Sequence, residues 1–106
     1  MDLEQRRLEL NELFVDILGS RNVYFQPPAS LVMQYPCIRY NREQADSKFA
    51  SNKLYRFTQR YQATLIYRNH TEGSAIFQQI ISLPMTVHDR SYAGDNLNHD
   101  VFTLYF

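Results

Sequence analysis

The chain has 106 residues, 44% of them hydrophobic and 21% charged, with eleven basic and eleven acidic side chains that balance to zero. That length holds one domain, here 1–106, and the balanced charge supplies no global field to draw in nucleic acid or an anionic membrane. One cysteine, Cys37, excludes an internal disulfide and a cysteine zinc site within the chain.

Residues 2–18 read as a helix. Leu3, Leu10, Leu13, Phe14, Ile17 and Leu18 share one stripe at three- and four-residue spacings, Asp2 stands as N-cap, and Gly19 follows as the stop. A stripe this wide is expected to pack on a sheet. The short run Val23-Tyr24-Phe25 then meets Pro27-Pro28, which prescribes an extended connector. Tyr35-Pro36-Cys37-Ile38-Arg39-Tyr40 predicts a strand with its proline at the first position or on an edge, and with one buried face carrying Ile38 and Tyr40. Cys37, in this apolar run, is expected to be a buried, inert thiol.

From Asn41 to Asn52 the chain turns polar, as long as a structureless loop becomes in a compact domain. Residues 54–68 follow, with Tyr61-Gln62-Ala63-Thr64-Leu65-Ile66-Tyr67 as a central strand rich in β-formers. Asn69 to Gly73 reads as a polar turn, and Ser74 as the cap of a short helix carrying Ile76, Phe77, Ile80, Ile81 and Leu83, closed by Pro84. Two last strands are joined around Gly94-Asp95-Asn96. The second, Val101 to Phe106, is too apolar to fray and is expected to lie inside the sheet, with its carboxylate at a surface or interface. The order predicts an α+β fold: a mostly antiparallel sheet with an N-terminal helix and a second short helix packed on one face.

Chemistry is sparse. His70, His88 and His99 stand 18 and 11 residues apart, which matches no helical ligand pair and no recurring zinc pattern. Strand pairing could bring His88 and His99 to Asp89, Asp95 or Asp100, and the plainer expectation is that these are turn and rim residues. Three scattered glycines make no phosphate loop, and there is no Gly-x-Ser-x-Gly elbow. The expectation is a protein that is not an enzyme, uses no cofactor and binds no metal. No run approaches the roughly 18 apolar residues of a membrane span, and no secretory leader is visible, so a soluble protein of a reducing cytoplasm is expected. The stretch 53–61 interleaves Lys53, Arg56 and Arg60 with Tyr55, Phe57 and Tyr61. That pattern suits single-stranded nucleic acid, and equally a charged edge strand or a protein interface.

The Tyr35-Pro36-Cys37-Ile38-x-Tyr40 strand, the long polar loop, Arg60-Tyr61-x-Ala63-Thr64-Leu65, the helix ending Leu83-Pro84 and the closing Arg90-x-Tyr92-x-x-Asp95-Asn96-Leu97-Asn98-His99-Asp100-x-Phe102-x-Leu104-Tyr105 together carry a resemblance. In element order, over nearly the whole chain, the sequence resembles the tail-terminator, or tail-completion, proteins of long-tailed bacteriophages. The resemblance implies a structural virion protein, made in the host bacterial cytoplasm and located in the tail or neck. It implies a ring, usually hexameric, that caps the tail tube, ends its polymerisation and joins the head, with genome DNA passing through and no specific binding. The implied partners are further copies of the chain, the tail-tube protein and a head-completion or connector protein. Eight tyrosines and seven phenylalanines exceed what a modest core needs and suit such interfaces. The residues expected at a subunit or tail-tube contact are Arg42, Glu43, Asp46, Lys48, Phe49, Lys53, Tyr55, Arg56, Asp95, Asn96, His99 and Asp100. Two other readings are another neck or minor tail component, stopper-like, and a small nucleic-acid-binding module built on 53–61.

Overall fold

The computed structural model of the chain describes residues 3–43 and 59–106. Helix α1 (Leu3–Leu18) is followed by β1 (Val23–Phe25), β2 (Cys37–Arg42), β3 (Arg60–Tyr67), helix α2 (His70–Ile81), β4 (Thr86–Gly94) and β5 (Leu97–Tyr105). The five strands form one sheet in the order β1-β2-β3-β5-β4; β1 runs parallel to β2 and every other pair is antiparallel. The fold is α+β, as the element pattern predicts.

The alternation of side chains along strands decides where the core lies. Ile38 and Tyr40 of β2, Tyr61, Ala63, Leu65 and Tyr67 of β3, and Phe102 and Leu104 of β5 share a face. Leu10, Phe14 and Leu18 of α1 and Ile76 and Ile80 of α2 close over it. Phe14 meets the Tyr40 ring edge-on at 5.3 Å, a favoured aromatic geometry. Leu3, at the N-terminal end of the same stripe, is 40% exposed. Gly19 ends α1 at φ 79°, with its N–H donating to the Val15 carbonyl at 2.9 Å. That left-handed position is why a glycine follows the helix.

The start of the second helix and the single buried face expected of β2 both change in the structure, while Cys37 is buried as expected. Helix α2 begins at His70, so residues 70–73 form its first turn and Ser74 lies inside it. The cap is Asn69, whose Oδ1 accepts from the Glu72 N–H at 2.8 Å. Gly73 is tolerated there because the face of the helix it occupies lies directly on the Tyr67 ring; a Cβ would come within 2.4 Å of that ring. In β2, Cys37 is as buried as Ile38, because on the opposite face it stands beside Ile66 in the middle of the sheet. Burial pushes its thiol up to about 12, so it is an inert group at neutral pH.

Candidate functional site

The most concentrated chemistry lies where β4 meets β5. Asp100 is 4% exposed and sits on the core-facing side of β5. A buried carboxylate is tolerated only where its oxygens are bonded. Here Oδ2 accepts from the Tyr67 hydroxyl at 2.7 Å, and Oδ1 accepts from the Ser91 hydroxyl and lies 3.1 Å from Nε2 of His88. Burial, and then the bond to Asp100, pushes the Tyr67 hydroxyl up to about 12. The His88 ring is held between Phe77 of α2 and Phe102, 5.0 and 5.2 Å away.

Ser, His and Asp side chains thus meet, but not as a proton relay. A nucleophilic triad uses the two ring nitrogens for two different partners. In this cluster Ser91 and Asp100 both face the one nitrogen, Nε2, Ser91 at 3.1 Å, and the serine hydroxyl already donates to Asp100. The arrangement clamps β4 to β5 and both to β3.

His99, the neighbour of Asp100 in sequence, is necessarily on the other face of the sheet. Its ring stacks on Tyr92 at 4.5 Å and 8°, and its Nδ1 is buried with no hydrogen-bond partner among the described residues. The sheet therefore brings His88 to Asp100 and keeps His99 away from both. Asp95 and Asn96 form the two-residue turn between β4 and β5, at φ 55° and 62°. Such a turn suits Asx residues at both positions. Among the described residues no group of three His, Cys, Asp or Glu side chains is placed to hold a metal ion. No described helix is long and apolar enough to cross a membrane.

Arg42 and Glu43 stand at the end of β2, and both are engaged within the chain. Arg42 reaches Glu4 of α1 at 2.7 Å, and Glu4 also holds Arg7 at 2.5 Å, an arrangement that pulls the Glu4 carboxyl below its usual range. The Arg7 guanidinium lies 4.3 Å over the Phe25 ring. Glu43 pairs with Arg60 at 3.1 Å, while its N–H donates to the Arg60 carbonyl at 2.9 Å. The Arg42–Glu4 pair is exposed, and such pairs contribute little to stability individually, so it can be exchanged for contacts with a partner, whereas Glu43 and Arg60 are half-buried. Asp46, Lys48, Phe49, Lys53, Tyr55 and Arg56, with most of the polar loop and of the basic-aromatic stretch, lie outside the described residues. Of that stretch, Tyr61 is fully buried in the core and is not offered for base stacking.

Sequence reasoning passed over the β4 edge. Every residue from Val87 to Gly94 is exposed, and the outer side of the strand pairs with no other strand among the described residues. Val87 is 58% and Tyr92 49% exposed, both on the face away from the helices. At the start of the strand, Met85 joins Leu13, Leu83, Leu104 and Phe106 in lining a shallow apolar groove of about 210 Å³. The opposite edge of the sheet is a different object, the three-residue β1. Comparison of the chain with family models, with curated proteins and with solved structures returned no match.

Proposed function

We propose that the chain is a structural subunit of a phage virion: a tail terminator whose copies close into a ring on the tail tube, end its polymerisation and present a surface to the head connector. The observation that carries this reading is the pair of unlike edges of the sheet formed by the described residues, a nine-residue β4 exposed from Val87 onward at one end and a three-residue β1 at the other. Where one edge meets the other, unlike edge the contact is heterologous, and heterologous contacts that close give rings. The Asp95-Asn96-Leu97-Asn98-His99-Asp100 run that carries much of the resemblance builds the hairpin presenting that edge. The exposed ion pair Arg42–Glu4 stands close in sequence to segment 44–58, and an exposed pair can change partners on assembly at little cost.

The test is electron microscopy of particles assembled in the presence and absence of the chain. Without it, tails of uncontrolled length that fail to join heads are expected, and supplying the chain in trans restores joined tails of uniform length. Normal joined tails in its absence would overturn the reading.

A further inference from the structure

We infer that the free chain pairs with a second copy of itself through the open edge of β4, antiparallel, about a two-fold axis between Asp89 and Arg90. An edge strand is a template for another strand, and charged residues on it normally turn other chains away. On β4 the charges are an adjacent acid and base, Asp89 and Arg90. Repulsion is therefore not general: it depends on register.

In the antiparallel register that sets Asp89 opposite Arg90 of the second copy, the same pair recurs by symmetry, so two opposite-charge pairs form at the centre. Moving outward, His88 stands opposite Ser91, Val87 opposite Tyr92, and Thr86 opposite Ala93, each pair occurring twice. Val87 and Tyr92 are the two large apolar side chains exposed on the strand, and cross-strand aromatic–β-branched pairs are among the stabilising ones.

The faces agree as well, which is not automatic. Residues opposite each other in a sheet must point to the same side. In a regular strand Val87 and Tyr92, five residues apart, point to opposite sides. The bulge between His88 and Arg90 resets the alternation. Val87 and Tyr92 then share the face away from the helices, beside Thr103 and the His99 ring, while His88 and Ser91 share the core-facing side, both touching Asp100. Asp89 reaches Thr103 and Arg90 lies across from Val101, so both are on the outer face. All four pairs match. Sliding the second copy by one residue either way sets Asp89 against Asp89 or Arg90 against Arg90, and like charges directly opposed are destabilising.

Such a dimer occupies the edge that a ring contact would use, and so holds the free subunit back from polymerising away from its target. The inference stands on the edge itself and is read on the purified chain, independently of tail length. Sedimentation across a concentration series tests it, with three variants: Arg90→Glu, Asp89→Arg, and the swap Asp89→Arg with Arg90→Asp. The wild type is expected to approach twice the 12.6 kDa chain mass. Each single reversal, which opposes like charges twice, should weaken dimerisation at least tenfold, and the swap should restore it. Recovery in the swap separates pairing across the axis from the bond of Asp89 to Thr103, which the swap does not repair. A wild-type monomer at every concentration would overturn the inference. So would an oligomer whose mass Arg90→Glu leaves unchanged, in protein shown by circular dichroism to be folded.

Discussion

Tyr67 joins the two halves of the core. Its ring supports α2 through Gly73, and its hydroxyl bonds Asp100 at 2.7 Å, so one side chain fixes a helix and the last hairpin. Burial and the carboxylate both disfavour the phenolate, and the folded chain holds the Tyr67 proton up to about 12, against an ordinary value of 10.0. A pKa raised by folding contributes stability that is complete below the unfolded value and is lost as pH rises through the folded one. The chain should therefore lose stability between pH 10.0 and about 12. Burial also raises Tyr40, Tyr61 and Cys37, so the Tyr67 share is read as a difference. Denaturant titrations at several pH values should show Tyr67→Phe less stable than wild type at pH near 8, by about 1–3 kcal/mol for the lost bond to a buried carboxylate. The same variant should lose less than wild type across the alkaline window. Parallel alkaline losses would show that Tyr67 does not contribute to the alkaline loss of stability.

At the scale of elements, the contact of α2 with β3 reverses an ordinary expectation. Alanine in place of a helix-interior glycine usually stabilises by about 1 kcal/mol. At Gly73 the added Cβ would meet the Tyr67 ring at 2.4–2.6 Å, and the ring cannot swing aside while its hydroxyl is held by Asp100. Gly73→Ala should therefore destabilise, by about 1–3 kcal/mol as overpacking does, with a lowered melting temperature as the readout. A raised melting temperature would mean that α2 lifts off the sheet at little cost. The same glycine explains what the sequence hid. Asn69 to Gly73 reads as a polar turn, but Asn69 with Glu72 three residues on is a helix N-cap pattern, and the glycine at 73 masks that start. Where local and tertiary preferences agree, the reading holds: the stripe of Leu10, Phe14 and Leu18 with Gly19 behind it defines α1, and Asp95-Asn96 marks the hairpin. The parallel pairing of β1 was illegible because three residues carry no register signal. The Asp100 cluster was illegible for a sharper reason. His88 and Ser91, three apart, belong on opposite faces of a regular strand, and only the bulge at Asp89 puts both beside one carboxylate.

For the whole molecule, the decisive question is how its two ends are tied to the sheet. Among the described residues, those expected at a contact surface fall into separate zones. Arg42 and Glu43 lie at the end of β2, Asp95 and Asn96 at the far hairpin, and Asp100 is buried between, so charge and sequence proximity alone could not sort surface from clamp. Phe106 shows how the sheet is completed. Its N–H donates to the Gln59 carbonyl at 3.1 Å and its carbonyl accepts from the Gln59 N–H at 3.0 Å, which extends the β3–β5 ladder one residue past Arg60–Tyr105. The ring packs against the core, and the Arg6 guanidinium of α1 lies 4.3 Å above it. Removing Tyr105 and Phe106 therefore takes out ladder bonds, a cation–π contact and the floor of the groove beneath α1 together. Both residues are only half-buried, so the hydrophobic loss is partial; with the ladder bonds, the cost is about 2–4 kcal/mol. Urea unfolding of the chain lacking these two residues should show a lower midpoint with a cooperative transition retained, because Phe102 and Leu104 still fill the core. An unchanged midpoint would mean that β5 is anchored by its central residues alone, and that its last two side chains are available to a partner.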